Sequence, residues 1–194
     1  MRAATLLKIL TALCAVTLLS ACTTSGQRTS IKVGFYDVKG ESFEELDRQI
    51  SLHGPRVEGV GKAIAATGIR MIPEIRTRIS NGECNVASIR VRVKADVTLP
   101  RRRGSKSGNA DVNRAFNNLQ EYAKLHEAVH VTIADRYAAE AEKRISQLPA
   151  RKTCGQLYKD IGAAFGEVMD EHRKAQLDFD LQENKRIAAL AAKK

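Results

Sequence analysis

Hydrophobic and polar positions along this 194-residue chain follow two periods, and the change between them falls near residue 109. Before it the pattern alternates. Ile69, Met71, Ile75, Thr77 and Ile79 share one parity, with Arg70, Glu74, Arg76 and Arg78 on the other. Asn81-Gly82 follows, a pair that suits a two-residue hairpin turn because both residues tolerate positive φ. Ile89, Val91, Val93, Ala95, Val97 and Leu99 then alternate with Arg90, Arg92, Lys94, Asp96 and Thr98. Alternation of this length predicts two half-buried strands in one long hairpin, apolar on the inner face and basic on the outer. Pro73 has no N–H to give a ladder, which places its strand at a sheet edge or at a bulge. Ile31 to Val38 predicts a further short strand. Ser42-Phe43-Glu44-Glu45 is a capping-box pattern that opens a helix to about Leu52, closed by Gly54-Pro55. Residues 54–68, rich in Gly and Ala, carry no readable period.

From Asn109 the spacing becomes helical. Phe116, Leu119, Ala123, His126, His130, Ile133 or Ala134, Tyr137 and Ala141 fall on one stripe of a helix that ends near Leu148, before Pro149. After a turn over 149–155, Leu157, Ile161, Phe165, Val168, His172, Ala175 and Phe179 mark the apolar stripe of a second helix. The expected fold is α+β in a single domain over residues 31–183. A small antiparallel sheet of three or four strands, with the long hairpin and one short helix, packs on a C-terminal antiparallel helix pair. The Ala- and Lys-rich residues 184–194 read as a flexible tail.

The first thirty residues have a different character. Met1-Arg2 and Lys8 precede an apolar run from Ile9 to Leu19, too short for a permanent membrane span. Leu19-Ser20-Ala21-Cys22 resembles a bacterial lipobox. That resemblance implies removal of residues 1–21, acylation of Cys22, and a lipidated tether over residues 22–30. Thr23 is not an aspartate, which points to the periplasmic face of the outer membrane. Export leaves Cys84 and Cys154 as one pair that could bridge in an oxidising compartment, the alternative being two buried thiols.

The net charge is +10, and much of it sits between Arg90 and Lys106. Outside the cytoplasm this argues against a nucleic-acid partner. Arg90, Arg92, Lys94, Arg101, Arg102 and Arg103 could instead meet anionic lipid or cell-wall polymer, or could form a solvated basic face.

The candidate chemistry lies in the first long helix, as His126-Glu127-Ala128-Val129-His130. Residues i and i+4 share a helix face, about 6 Å apart, so the two imidazoles can reach one zinc ion. Glu127, one step round, can take a proton from a water whose pKa zinc lowers from 15.7 to about 7. The bland alternative is a pair of core histidines satisfied by protein groups. In an antiparallel helix pair the rise of about 1.5 Å per residue brings His172 level with His130, making it the expected third ligand, with Glu171 or Glu167 as fallback. Gln176, Asp180 or Glu183 could orient the ligands from behind. Tyr122, Tyr137 and Tyr158 are candidates for stabilising an oxyanion.

Three stretches carry a family resemblance: the entry VGFYDVKGESFEELDRQISLHGP, the strand CNVASIRVRVKADVTLP, and the HEAVH helix followed by Cys154. With them the chain resembles a bacterial family of predicted secreted zinc-dependent proteases, defined as a domain of unknown function, over roughly residues 31–183. The resemblance implies His126 and His130 as ligands, Glu127 as catalytic base, and a Cys84–Cys154 disulfide. Phe179-Asp180 stands at a Tyr-Asp position of that family.

The expectation is therefore a peptide hydrolase with one Zn²⁺ per chain, acting on a peptide or protein of the cell envelope and held to the membrane through Cys22. An amide hydrolase of peptidoglycan peptides would use the same chemistry. A non-catalytic envelope-binding lipoprotein, with a structural metal or none, is the alternative.

Overall fold

In the computed structural model, residues 28–57, 61–104 and 109–192 are described. The leader, Cys22 and the rest of the expected tether up to residue 27 lie outside them, and its last two residues, Thr29 and Ser30, belong to the first strand. Among the described residues no helix is long and apolar enough to cross a membrane.

The chain runs β1 (Thr29–Val38), α1 (Phe43–His53), β2 (Arg56–Val57), β3 (Gly61–Lys62), β4 (Ala66–Ser80), β5 (Glu83–Arg102), α2 (Ala110–Ser146) and α3 (Cys154–Ala191). β4 and β5 form the expected hairpin. Asn81 and Gly82 turn it with φ of 54° and 76°, as a two-residue loop between right-twisted strands requires. Val91, Val93, Ala95, Val97 and Leu99 are all buried, and Arg92, Lys94 and Asp96 face out. β4 is an edge strand, as Pro73 demanded. The register breaks slightly further on: Arg76 pairs with Ser88 and Thr77 with Val86, so Ala87 is the extra residue of a bulge. The bulge turns Cys84 and Val86 to the face that Ile89 and Val91 occupy. Ile79, at the tip of the edge strand, stays 74% exposed.

The expectation of a purely antiparallel sheet is corrected. The order is β1-β5-β4, and β1 runs parallel to β5, so the sheet is mixed. Alternation reports which face a side chain takes and is blind to strand direction. The end of β1 and the start of β4 both lie beside the end of β5, and the β4–β5 hairpin then reverses the chain, so that β5 runs between them parallel to β1. β1 ends its pairing at Thr29, and beyond it Glu142 of α2 takes over by accepting the Val91 N–H at 2.7 Å and the Arg28 guanidinium at 2.7 Å. Thr29 also hydrogen-bonds Asp135.

Ser42 caps α1 by accepting from the Glu45 N–H, and the Glu45 carboxylate reaches back to the Glu41 N–H. Gly54 and residues 62–63 lie close against the end of α1. The Lys62 ammonium donates to the Leu52 and Gly54 carbonyls, and a Cβ at Gly54 would stand 2.4 Å from the Ala63 oxygen, so only glycine fits. β2 and β3 form a separate two-stranded ladder.

α2 lies across the sheet and α3 packs against it antiparallel. The start of α3 is tied to the hairpin tip by the Cys84–Cys154 disulfide and by a two-way backbone pairing of Cys84 with Arg151. Cys84, Ile145, Leu157 and Ile161 form a dry cluster beneath this tie. α3 continues to Ala191, past Glu183, where a flexible tail was expected. Alanine-rich sequence and the Glu183–Arg186 pair at i, i+3 favour that extension.

Candidate metal centre

The buried stripe of α2 runs through Phe116, Ala123, Glu127, Val131, Ala134, Ala138, Ala141 and Ile145. It is turned by one residue from the expected stripe, which centred on the histidines. Glu127 therefore faces the sheet, 4% exposed, and its Oε2 accepts the Thr67 hydroxyl of β4 at 2.6 Å. His126 and His130 sit on the flank of the stripe and face α3.

There they meet Asp180. His126 Nε2 and His130 Nε2 are 3.2 Å apart, and Asp180 Oδ1 lies 3.2 Å from the first and 3.1 Å from the second. Among the described residues this is the group of His, Cys, Asp and Glu side chains whose donor atoms converge closely enough to hold a metal ion. The ring of Phe179 packs on both imidazoles, with centroids at 4.8 and 5.1 Å.

His172 takes a different place. It is buried and lies behind Gln176, whose amide stands between it and His130. Burial lowers its pKa, and the charges of His130 and Arg173 add to the effect. Glu171 is held bidentately by Arg144, at 2.7 and 2.8 Å, and Glu167 is exposed; neither belongs to the triangle. The level of α3 accounts for the difference. Ile145, near the end of α2, shares a cluster with Leu157 and Ile161, so the first turns of α3 run out past α2 to reach Cys84 at the hairpin tip. His130 consequently meets Gln176, one turn beyond His172, and His126 meets Asp180. The sequence signal for Asp180 was the Phe179-Asp180 pair together with its inward position.

The donor set fits a cation. Two imidazole nitrogens and one carboxylate oxygen are a donor set that zinc and other divalent transition metals take, and tetrahedral ligands about 2.0–2.1 Å from a zinc-sized ion stand about 3.4 Å from one another. The observed separations of 3.1 to 3.2 Å are close to that. Gln176 Oε1 can only accept, so His130 Nδ1 is the protonated nitrogen. In the neutral ring Nε2 then faces the Asp180 carboxylate lone pair to lone pair, an arrangement that a positive ion relieves. His126 Nδ1 is buried and has no hydrogen-bond partner among the described residues.

Of the three candidate tyrosines, Tyr122 has its ring beside the triangle, 6.0 Å from that of His126. Its hydroxyl donates to Glu183 at 3.0 Å. Burial and that carboxylate raise its pKa. Arg186 holds Glu183 down to about 2, and Tyr122 assists. Tyr137 packs on His172, and the Tyr158 hydroxyl approaches Thr77 on the hairpin.

The basic residues are mostly engaged. Arg92 pairs with Glu74, and Arg101 and Arg103 pair with Asp37, whose carboxyl they hold below its ordinary range. Arg102 bonds Asn113 and the Gly40 carbonyl. Arg90 and Lys94 have no ion pair among the described residues.

No curated protein and no solved structure matches the chain. A family model does, over residues 33–186, and the chain belongs to that family, described as "Bacterial protein of unknown function (DUF922)".

Proposed function

We propose that this member of the family is a zinc-dependent peptide hydrolase, one ion per chain, with His126, His130 and Asp180 as the protein ligands. The observation that carries the reading is the convergence of those three donor atoms beside a buried glutamate that an edge strand holds. When bound, the ion would supply Lewis acidity for a peptide carbonyl and a lowered pKa for a water.

The chain's own groups do the rest. Thr67 donates to Glu127 Oε2, which leaves Oε1 to take the proton of the attacking water and return it to the leaving amine. Phe179 fixes the two imidazole rings and keeps water off their faces. The outer edge of β4, the strand that carries Thr67, is unpaired among the described residues, so an extended peptide can add there as a further strand. Tyr122 is the side chain best placed to meet a developing oxyanion, once it exchanges Glu183 for substrate.

The proposed setting is the cell envelope, with Cys22 lipidated at the periplasmic face of the outer membrane. The Cys84–Cys154 bridge supports an oxidising compartment. The substrate is a peptide or protein there, peptidoglycan peptides included.

The test is metal content by mass spectrometry on the full chain, with Asp180→Ala and His126→Ala beside it, and peptide hydrolysis by Glu127→Gln. One zinc per chain, lost in the two ligand variants under native circular dichroism, and no turnover in Glu127→Gln are the expected results. A wild-type chain that takes up no zinc on reconstitution overturns the reading and leaves a non-catalytic envelope protein.

A further inference from the structure

The amide of Gln176 has its orientation dictated by its surroundings. One end lies 3.1 Å from the main-chain oxygen of His130. A carbonyl only accepts, so that end is Nε2. The other end is then Oε1, and it faces His130 Nδ1. An amide oxygen also only accepts, so Nδ1 carries the ring's proton and Nε2 keeps its lone pair. That lone pair is directed at Asp180 Oδ1 and His126 Nε2. The remaining hydrogen of Gln176 Nε2 is met by His172 Nε2 at 2.7 Å, which acts as acceptor. His172 is 6% exposed and its ring rests against Tyr137, so the anchor has little freedom to turn.

We propose that Gln176, anchored by His172, is a positioning residue for the metal centre: it holds His130 in the Nδ1–H tautomer and so aims the Nε2 lone pair at the ion. The proposal rests on the reading of His126, His130 and Asp180 as ligands, and assigns a role to the buried His172 and the half-buried Gln176, which neither ligate nor take the proton. Partners of this kind orient a ligating imidazole and raise its basicity, and losing one weakens metal binding by about 10–100-fold.

Two measurements on the full chain test it. In metal-free protein with ¹⁵N-labelled histidine, NMR should find His130 as the Nδ1–H form; the Nε2–H form in wild type would overturn the proposal without any variant. Zinc affinity, by chelator competition, should then fall about 10–100-fold in Gln176→Met, with the tautomer preference lost. It should stay within a few-fold of wild type in Gln176→Glu, which still accepts from Nδ1–H while His172, without turning, takes the Nε2–H form and donates to the carboxylate. A role in packing alone would reverse that order, since Met fills the space and Glu buries a charge, and such a reversal overturns the proposal. His172→Phe should weaken zinc only a few-fold; complete loss of zinc with the fold intact would make His172 a ligand and overturn it as well. Failure of the wild type to bind zinc sinks the parent reading, whereas the tautomer still judges Gln176 by itself.

Discussion

The two halves of the α2–α3 pair are built on opposite principles. Toward the hairpin tip, Cys84, Ile145, Leu157 and Ile161 are 5% exposed or less and are closed over by a disulfide. Toward the other half polar groups are buried among the apolar ones: Glu127, His172 and the Nδ1 of His126, which has no hydrogen-bond partner among the described residues. Past that point α3 leaves Leu177, Leu181, Ile187 and Leu190 exposed. The tip, one of several buried clusters, sets the level at which α3 passes α2. The site half spends stability on groups held apart from water, as functional sites commonly do. The contrast teaches that register and chemistry come from different places: the dry end decides which α3 residues face the histidines, and the polar end uses them.

That contrast can be broken from either side. The largest expected effect is at the site: Glu127→Gln should lower turnover by about 10²–10⁴-fold, the range for loss of a general base, with thermal unfolding little changed. A parallel fall in melting temperature would mean that Glu127 serves the fold instead. Next comes the tip. Leu157→Ala should destabilise by about 2–5 kcal/mol in urea unfolding, because Leu157 is fully buried and the tied cluster cannot collapse into the gap. The paired change Cys84→Ser with Cys154→Ser should cost about 2–4 kcal/mol, since the bridge closes a loop spanning 70 residues of sequence. Zinc affinity of the folded fraction should move far less, and an equal loss of both would show that the tip and the site are not separable.

Thr67→Val probes the link between sheet and site. It removes the hydroxyl donor to Glu127 Oε2 and should raise the barrier to turnover by about 1–3 kcal/mol at unchanged zinc content. The smallest effect belongs to Tyr36, away from both regions. Its hydroxyl donates to the Ile64 carbonyl at 2.7 Å, and burial raises its pKa from 10.0 to about 12. A raised folded pKa means that its contribution is complete below pH 10 and is lost as pH rises through 12. Tyr36→Phe should therefore cost about 0.5–1.5 kcal/mol at neutral pH and flatten the alkaline decline between pH 10 and 12, read from melting temperatures.

Local pattern went far here, and its failures share one cause. Alternation in 69–79 and 89–99, Asn81-Gly82, Pro73 and the Ser42 cap each act over a few residues, and each appears as expected in the hairpin and α1. The His126, Glu127 and His130 spacing is also local, because a helix places i and i+4 together whatever surrounds it. Parallel pairing of β1 is not local; the same alternating residues serve either direction. Nor is the identity of the third donor. His172 and Asp180 both lie inward on α3, and two helical turns separate them.

From its sequence alone this protein has a determined set of elements, a helix that presents two imidazoles and a carboxylate, and a cysteine pair available to join. Tertiary structure alone decided that α3 begins beyond the end of α2, because Cys154 must reach Cys84 at the hairpin tip. That offset brings Asp180 to the histidines and leaves His172 behind Gln176. Helical periodicity says which side a residue faces, but how far one helix slides along another is set by the cluster and the bridge at its end.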